Sequence, residues 1–228
     1  NHIYSSKLFS NLTVYYSDYN YFLGETGGVE GFEWKSQLKD VSAKLDYSYF
    51  PNPNNSIRFG LQSIRHTINP GTAKGTGDDS IFNELALEES NSWEHAAYVS
   101  NEQKIGDKWS LLYGLRYSIF QNIGPFTVYD YDTNFEPVKE TTYEAGKSYQ
   151  TYSTLEPRMG LKYTLGELNS LKFSYNRTAQ YIQLASNSTS SSPLDIWFPS
   201  SPNVKPQISD QIAVGYFQNF PKKGIEAS

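Results

Sequence analysis

Cysteine is absent from the 228-residue sequence, so disulfide bonds contribute nothing to its fold. No apolar run approaches the ~18 residues that a membrane-spanning helix needs, and the mean hydropathy is −0.58. These two absences exclude a disulfide framework and a helical membrane protein. They do not exclude a membrane-spanning β-barrel, because only alternate residues of its strands have to be apolar.

Basic segments are missing as well. The 19 Lys and Arg residues are outnumbered by 24 Asp and Glu residues, and the formal net charge is −5. Because nucleic-acid-binding proteins present clustered basic residues, we expect no nucleic-acid partner. Helical periodicity is scarce too, and only Ser80–Ser90, inside a connecting segment, is compatible with one short helix.

Aromatic residues are abundant instead, and 19 Tyr, 13 Phe and 4 Trp make up 16% of the chain. Aromatic residues favour strands, and Tyr and Trp are typical of the membrane interfaces of outer-membrane barrels. The chain is long enough to bury the core of one large β domain or two small ones. We therefore expect an all-β fold.

The segment Lys108–Phe120 shows the alternation on which the fold prediction depends. Its first register is wholly apolar or aromatic: Trp109, Leu111, Tyr113, Leu115, Tyr117 and Ile119. The second register is small and mixed, and it contains Arg116. A period of two with one apolar and one polar face predicts a β-strand.

Eight such segments follow one another, joined alternately by short turns and longer links. They are Leu8–Tyr16, Val41–Phe50, a segment from Ile57 onward, Trp93–Glu102, Lys108–Phe120, Thr154–Leu165, Leu171–Tyr181 and Ile212–Phe220. This alternation is typical of an antiparallel up-and-down transmembrane β-barrel, with short periplasmic turns and long extracellular loops. A Greek-key sandwich would not segregate its long links to one end. We predict a single β-barrel segment over residues 1–228.

Charged residues occupy only one register of the second, fifth and sixth strands. We predict that these residues face the barrel interior: Lys44, Asp46, Arg116, Glu156, Arg158 and Lys162. A soluble β-sandwich would turn the same register to water, so the charges alone leave both folds open. The aromatic residues of the other register favour the barrel, because they lie near the short turns, where an interfacial girdle is expected: Tyr47, Tyr49, Trp109, Tyr163 and Phe173.

Two residues depart from the barrel pattern. Arg177 lies in the apolar register of the seventh strand, a position that costs about 2–4 kcal/mol at mid-membrane. Either a bulge resets the register there or the strand has already reached the rim. Pro157 removes a backbone donor from the sixth strand, which is usually a feature of an edge or a bulge.

Signatures of catalysis and of metal binding are lacking. We expect the three histidines, His2, His66 and His95, to be surface residues, and no nucleophile motif or HExxH or CxxC spacing occurs. We therefore predict that the chain is not an enzyme and carries no cofactor and no metal. The acidic pairs Asp78-Asp79 and Glu88-Glu89 are interpreted as solvated loop charge.

The long links contain two patches in which aromatic residues stand beside carboxylates. Tyr129 and Tyr131 belong to the first, and Asp195 and Trp197 to the second. Apolar ring faces next to hydrogen-bond acceptors suit a sugar or a similar ligand, so these four residues are candidate ligand contacts. For Trp197, packing against a neighbouring loop is the favoured interpretation.

The stretches "LEPRMGLKYTL", "LKFSYNRTAQYIQLASNST" and "SSPLDIWFPSSPNVKPQISDQIAVGYFQNF" occur in the same order as in a known family. In them the sequence resembles TonB-dependent outer-membrane receptors of the Bacteroidetes type, in a segment of their C-terminal β-barrel. The resemblance implies a parent barrel of about 22 strands with an N-terminal plug, which imports siderophores, cobalamin or glycans with energy relayed by TonB. The implied partners are outer-membrane lipid, TonB acting through the plug, the nutrient and a surface lipoprotein.

Plug and TonB-box sequences are not recognisable in the chain, and both of its ends look cut, so we expect a fragment of a larger barrel. Two other functions remain open on the sequence alone. One is a soluble all-β surface module that binds glycan or another ligand. The other is a small outer-membrane enzyme, against which the lack of a nucleophile and a base counts.

Overall fold

The computed structural model describes residues 1–25, 29, 31–76, 83–186, 195–221 and 225–227. Fifteen strands are found in these residues: β1 His2–Ile3, β2 Leu8–Glu25, β3 Phe32–Asn52, β4 Asn55–Gly75, β5 Leu85–Ala86, β6 Ser90–Ile105, β7 Trp109–Ile123, β8 Phe126–Tyr131, β9 Pro137–Tyr143, β10 Ser148–Gly166, β11 Asn169–Gln180, β12 Ile182–Ser186, β13 Asp195–Pro199, β14 Gln207–Phe220 and β15 Ile225–Ala227. Over the same residues, no helix is long and apolar enough to span a membrane.

The eight long strands β2, β3, β4, β6, β7, β10, β11 and β14 form one antiparallel sheet in chain order, with β1, β5 and β15 as short additions. They stand at the eight predicted positions, which confirms the all-β antiparallel fold. Most of them run further toward the long links than predicted. The short helix expected over Ser80–Ser90 is wrong in its described part, because Leu85–Ala86 is a strand that pairs with β4.

Short turns join the long strands at one end of the sheet. Residues 53–54, 106–108 and 167–168 make these turns, and Gly106 adopts a φ of 58° that favours glycine. The long links lie at the other end. Two of them fold into separate two-stranded hairpins, β8–β9 and β12–β13.

One face of the sheet is apolar and open. A single row of paired residues across six neighbouring strands contains no polar side chain apart from a tyrosine hydroxyl: Leu12, Leu45, Leu61, Ala97, Tyr117 and Leu155. On β14, Ile212 and Val214 are 70% and 76% exposed. A continuous apolar surface of this kind requires an apolar environment or a partner. We call it the apolar face.

The predicted aromatic girdle lies at the short-turn end of the apolar face. Tyr47 stacks on Phe59 with ring centroids 5.0 Å apart, and Trp109 contacts Tyr163 at 4.3 Å. Toward the long links, the apolar face becomes polar at Arg65, which donates to Asn91 over 3.0 Å. On β3 the apolar stretch between these boundaries covers residues 41–49, close to the ~9–11 residues of a membrane-spanning strand.

The two residues that depart from the pattern are explained by their positions. Arg177 lies toward the long-link end of β11 and forms a bidentate ion pair with its register partner Asp210, at 2.7 and 2.8 Å. No bulge resets β11 against β14. The pairing of β10 with β11 stops at Arg158, the residue after Pro157, so the remainder of β10 is an edge on that side.

Candidate functional site on the hairpin face

The β12–β13 hairpin folds back over the side of the sheet opposite the apolar face. It contacts β3, β4 and β6, and the largest fully buried side chains, Phe120 and Ile68, lie beneath it. Trp34 is buried there as well and crosses so close to Gly71 that any Cβ at that position would meet its ring at 1.8 Å. We call this side of the sheet the hairpin face.

The hairpin is anchored by a stacked ring pair and by hydrogen bonds. Tyr181 stacks on Phe120 with centroids 4.9 Å apart and planes 3° from parallel. Asn122 donates its side-chain amide to the Ser200 carbonyl over 2.6 Å. The Tyr152 hydroxyl donates to the carbonyl of residue 201 over 2.7 Å. The hairpin is therefore fixed to β7 and β10 at its base.

A chain of charged side chains crosses five strands beneath and beside the hairpin. His66 Nδ1 lies 2.7 Å from Asp40 Oδ1, and His66 Nε2 lies 3.8 Å from Glu94 Oε2. Arg116 joins this group to β10, at 3.3 Å from Glu94 and 3.5 Å from Glu156. Three carboxylates thus share one guanidinium and one imidazole.

Among these charged side chains, Glu156 is the most buried carboxylate, with 4% of the residue exposed. It accepts a hydrogen bond from Ser118 over 2.7 Å and faces the Arg116 guanidinium. Buried charges are stable only when they are paired and hydrogen-bonded, and both conditions hold here. The ion pair and the base of the hairpin therefore meet at the same point, because Ser118 also lies 2.8 Å from the Tyr181 hydroxyl.

Nearer the short turns, a second group is built around Asp46. Lys44 Nζ lies 3.0 Å from its carboxylate, and the Tyr98 hydroxyl donates to it from two strands away. Gly60 stands between the partners, and a Cβ there would come within 2.9 Å of the Tyr98 ring. The absence of a side chain at Gly60 thus lets Tyr98 reach across β4.

The six charged residues predicted to face the interior all lie on the hairpin face, as the pairing register shows: Lys44, Asp46, Arg116, Glu156, Arg158 and Lys162. The structure brings Lys44 to Asp46 and Arg116 to Glu156. Arg158 and Lys162 form no ion pair with any residue that the structure describes.

The four candidate ligand contacts fall on two different hairpins. Tyr129 and Tyr131 lie on β8, 38% and 50% exposed, with ring centroids 6.5 Å apart. Asp195 and Trp197 lie on β13, where Trp197 packs edge-on against Tyr19 of β2 at 6.1 Å. That contact agrees with the packing interpretation for Trp197. The hairpins are linked by Asn203, which donates to the Tyr129 carbonyl over 3.0 Å.

The β8–β9 hairpin has a tightly hydrogen-bonded tip. Asp132 Oδ1 accepts the backbone N–H groups of Asn134 and Glu136 over 2.8 and 3.0 Å. These two bonds, from Glu136 first, hold the pKa of the Asp132 carboxyl below its usual range. Phe135 is 85% exposed at this tip, with a φ of 63°.

The acidic pairs predicted to be solvated loop charge have separate outcomes. Asp78-Asp79 lie outside the described residues. The Glu88 carboxylate accepts a hydrogen bond from the Thr127 backbone N–H over 3.1 Å, so it connects the β5–β6 segment to the next long link.

Across the described part of the chain, no three His, Asp or Glu residues form a group that could hold a metal ion.

Three residues of the charged chain were not identified from the sequence: Asp40, His66 and Glu94. The expectation of a surface histidine is wrong for His66, of which only 4% is exposed. His95 instead lies on the other face, stacked on Trp93 at 5.5 Å. The sequence contains a signal for the position of His66, because His66 shares the polar register of β4 with Arg58 and Gln62.

Comparison with known proteins decides the family. Residues 4–227 match the model of the outer membrane protein beta-barrel family. The chain belongs to this family. It is therefore an antiparallel β-barrel protein of the bacterial outer membrane. This leaves the alternative of a soluble surface module without support.

Solved structures of outer-membrane receptors share the fold. They include the ferric-catecholate import receptor Fiu of Escherichia coli K12, with a TM-score of 0.55, 14% identity, and coverage of 97% of this chain and 37% of that one. The ferric yersiniabactin uptake receptor FyuA of Yersinia pestis has a TM-score of 0.54 and 13% identity, and the match covers 95% of this chain and 32% of that one. The ferric preacinetobactin receptor BauA of Acinetobacter baumannii has a TM-score of 0.57 and 14% identity, and the match covers 95% of this chain and 33% of that one. The chain spans about a third of the length of these receptors. A comparison with curated protein sequences gives no match.

Proposed function

We propose that this chain is part of the wall of a TonB-dependent receptor that imports a bulky nutrient across the outer membrane, with the hairpin face lining the barrel interior. One observation carries the proposal: a sheet whose outer side is continuously apolar has an opposite side with a connected chain of ion pairs, partly covered by its own hairpin. Lipid-facing and interior-facing residues alternate in this way in outer-membrane barrels.

The receptors that share the fold support the same conclusion. Their names describe import or uptake of ferric chelates, and they belong to the TonB-dependent class. The lumen of a large transporter barrel is closed by a plug, and residues of its inner wall influence which solute passes. We place the segment in the C-terminal part of a Bacteroidetes-type receptor, where TonB acts through a plug and a surface lipoprotein assists capture.

The nutrient belongs to the siderophore, cobalamin or glycan class on this proposal. The aromatic residues Tyr129 and Tyr131 on β8 are exposed, as a solute entering from outside requires. Trp197 and Asp195 on β13 stand closer to the wall, since Ser36 of β3 donates to the Asp195 carbonyl over 3.4 Å. Both hairpins therefore offer candidate contacts for a solute, and the tyrosines are the more exposed pair.

Face assignment is tested by cysteine labelling of the full-length receptor in outer membranes. The 228 residues of this sequence contain no cysteine. Leu61→Cys on the apolar face and Ser48→Cys on the hairpin face therefore report separately on the two faces. A lipid-soluble maleimide should label the cysteine at 61, and a small charged maleimide should reach the one at 48. Reversed labelling would refute the proposed orientation.

Transport is tested by deleting the parent gene and limiting growth with ferric siderophores, cobalamin or oligosaccharides in turn. The deletion should impair growth on one nutrient class, and deletion of TonB should give the same defect. Unimpaired growth on all three classes would contradict the transport proposal while leaving the barrel assignment intact.

A further inference from the structure

A shallow recess interrupts the apolar face where three small residues stand among larger ones. Ala43 of β3 pairs with Ser63 of β4, and in the next row Leu61 pairs with Ala97 of β6. The recess has a volume of about 460 Å³ and is lined by these residues and by Tyr117, among others. An open, mostly apolar depression of this size can hold part of an acyl chain.

Two cations stand just beyond the recess on the long-link side. Arg65 follows Ser63 by two residues on β4, which places it about 7 Å farther along the strand. Lys39 of β3 pairs with Thr67, so Lys39 and Arg65 are diagonal neighbours about 7–8 Å apart. Because both side chains are long, one anionic group can contact both of them.

Arg65 is held in place by an aromatic ring. Its guanidinium carbon lies 5.3 Å from the centroid of the Trp93 ring, and its Nη2 donates to Asn91 over 3.0 Å. Trp93 in turn stacks on His95, which lies at the edge of the recess. Since tryptophan is typical of the headgroup level of a membrane, the guanidinium stands where the apolar part of a lipid ends.

Carboxylates of the same surface do not pair with these cations. Within the described residues, neither Lys39 nor Arg65 forms an ion pair. Asp18, the register partner of Lys39, accepts a hydrogen bond from the neutral Gln37 over 2.8 Å. The contrast is with Arg177 at the long-link end of β11, which has a bidentate ion pair with a carboxylate.

The position of the two cations indicates what covers them. The outer side of a barrel is reached neither by a plug nor by a solute in the lumen. On the long-link side, β4 continues for ten residues past Arg65 and β3 begins seven residues before Lys39, about 33 and 23 Å away at 3.3 Å per residue. The surface of the membrane is therefore the surrounding that meets both the recess and the cations.

We propose that the apolar face binds one phosphorylated lipid of the outer leaflet, with an acyl chain in the recess and a phosphate between Arg65 and Lys39. Guanidinium groups bind phosphate oxygens through two parallel hydrogen bonds, and basic residues at a membrane surface attract anionic headgroups. The inference rests on the proposed function, because it needs the apolar face in lipid and the long links outside the cell. The site is separate from the path of the solute.

The site is tested on the purified, delipidated full-length receptor in detergent, by native mass spectrometry with bisphosphorylated lipid A as the added ligand. Wild-type protein should retain one lipid A molecule, and the double variant Arg65→Gln, Lys39→Gln should bind it at least tenfold more weakly. Arg177→Gln is the matched control, because Asp210 already balances this arginine of the same face, and the affinity should be unchanged. Excess inorganic phosphate should not displace the lipid, because it cannot fill the recess.

A second variant covers poor folding of the double variant. Ala97→Phe exchanges one exposed apolar side chain for a larger one, so it should fill the recess and weaken lipid A binding in a barrel that retains heat-modifiable migration on gels. Wild-type protein that retains no lipid A, displacement by inorganic phosphate, or folded variants that bind as the wild type does would overturn the site. Each of these outcomes is separate from the cysteine labelling and the growth phenotype, which test the proposed function.

Discussion

Ser118 is the hydroxyl that connects Glu156 to the β12–β13 hairpin. Its Oγ donates to Glu156 over 2.7 Å and lies 2.8 Å from the Tyr181 hydroxyl. Since serine carries a single hydroxyl hydrogen, Tyr181 is the donor in the second bond. The direction of both hydrogen bonds is thus set by the negative charge of Glu156, and the base of the hairpin depends on that charge.

Tyr181→Phe separates the hydrogen bond from the ring stack. The substitution should keep the stack on Phe120. It should lower the free energy of opening the hairpin by about 1 kcal/mol, the net contribution of one hydrogen bond. Phe120→Ala should cost about 3–5 kcal/mol, because it empties a fully buried site. Hydrogen exchange of the β12 and β13 amides in the full-length receptor measures both. Tyr149→Phe is the control, since the Tyr149 hydroxyl has no hydrogen-bond partner among the described residues.

Arg116→Leu should destabilise the wall without preventing membrane insertion. The substitution leaves Glu156 buried without its cation, and removing one partner of a buried ion pair costs about 3–5 kcal/mol. Glu156→Gln in the same chain should recover part of that loss, because the uncompensated charge is gone. Unfolding in urea after insertion into lipid vesicles measures both. An Arg116→Leu protein that unfolds at the same or a higher urea concentration than wild type would indicate that Arg116 faces lipid, where leucine is favoured over arginine.

Much of the sheet could be predicted because a strand encodes its two faces locally, in alternate residues. The residues around Arg116 place it in the register opposite the apolar one, and the pairing of β7 has it on the hairpin face. Its partners could not be predicted in this way, because Glu94 and Glu156 reach it from other strands, and strand register is a long-range property. Likewise, no periodicity in the sequence predicts that Tyr181 stacks on Phe120. The position of the hairpin depends on contacts between residues that are far apart in the sequence.

Leu12→Arg and Thr13→Arg compare the two faces at neighbouring positions of β2. Leu12 lies in the central row of the apolar face, where an arginine should cost about 2–4 kcal/mol and lower the amount of folded barrel in the membrane. Thr13 lies on the polar hairpin face, so an arginine there should lower the amount of folded barrel far less, with only the repulsion from its register partner Lys44 against it. Quantifying heat-modifiable protein in outer-membrane fractions gives the comparison, and equal losses for both variants would contradict the face assignment.

Asp132 should stabilise the tip of the β8–β9 hairpin in a pH-dependent way. Its pKa is lowered in the folded tip by the backbone N–H groups of Glu136 and Asn134, so its contribution is fully present above the pKa of the unfolded chain. The contribution is lost as pH falls through the lowered folded value. Asp132→Ala should therefore speed proteolysis of the hairpin on intact cells at neutral pH.

Asp130→Ala is the matched control for that experiment, because Asp130 lies two residues away and its nearest cation, Lys139, stands 4.0 Å off in an exposed position. Surface pairs of this kind contribute little to stability. Cleavage of the control should match the wild type. The difference between Asp132→Ala and wild type should shrink as the pH is lowered toward 3, because protonation removes the same acceptor charge from the wild-type tip. A difference that grows on acidification would show that Asp132 acts there in its protonated form.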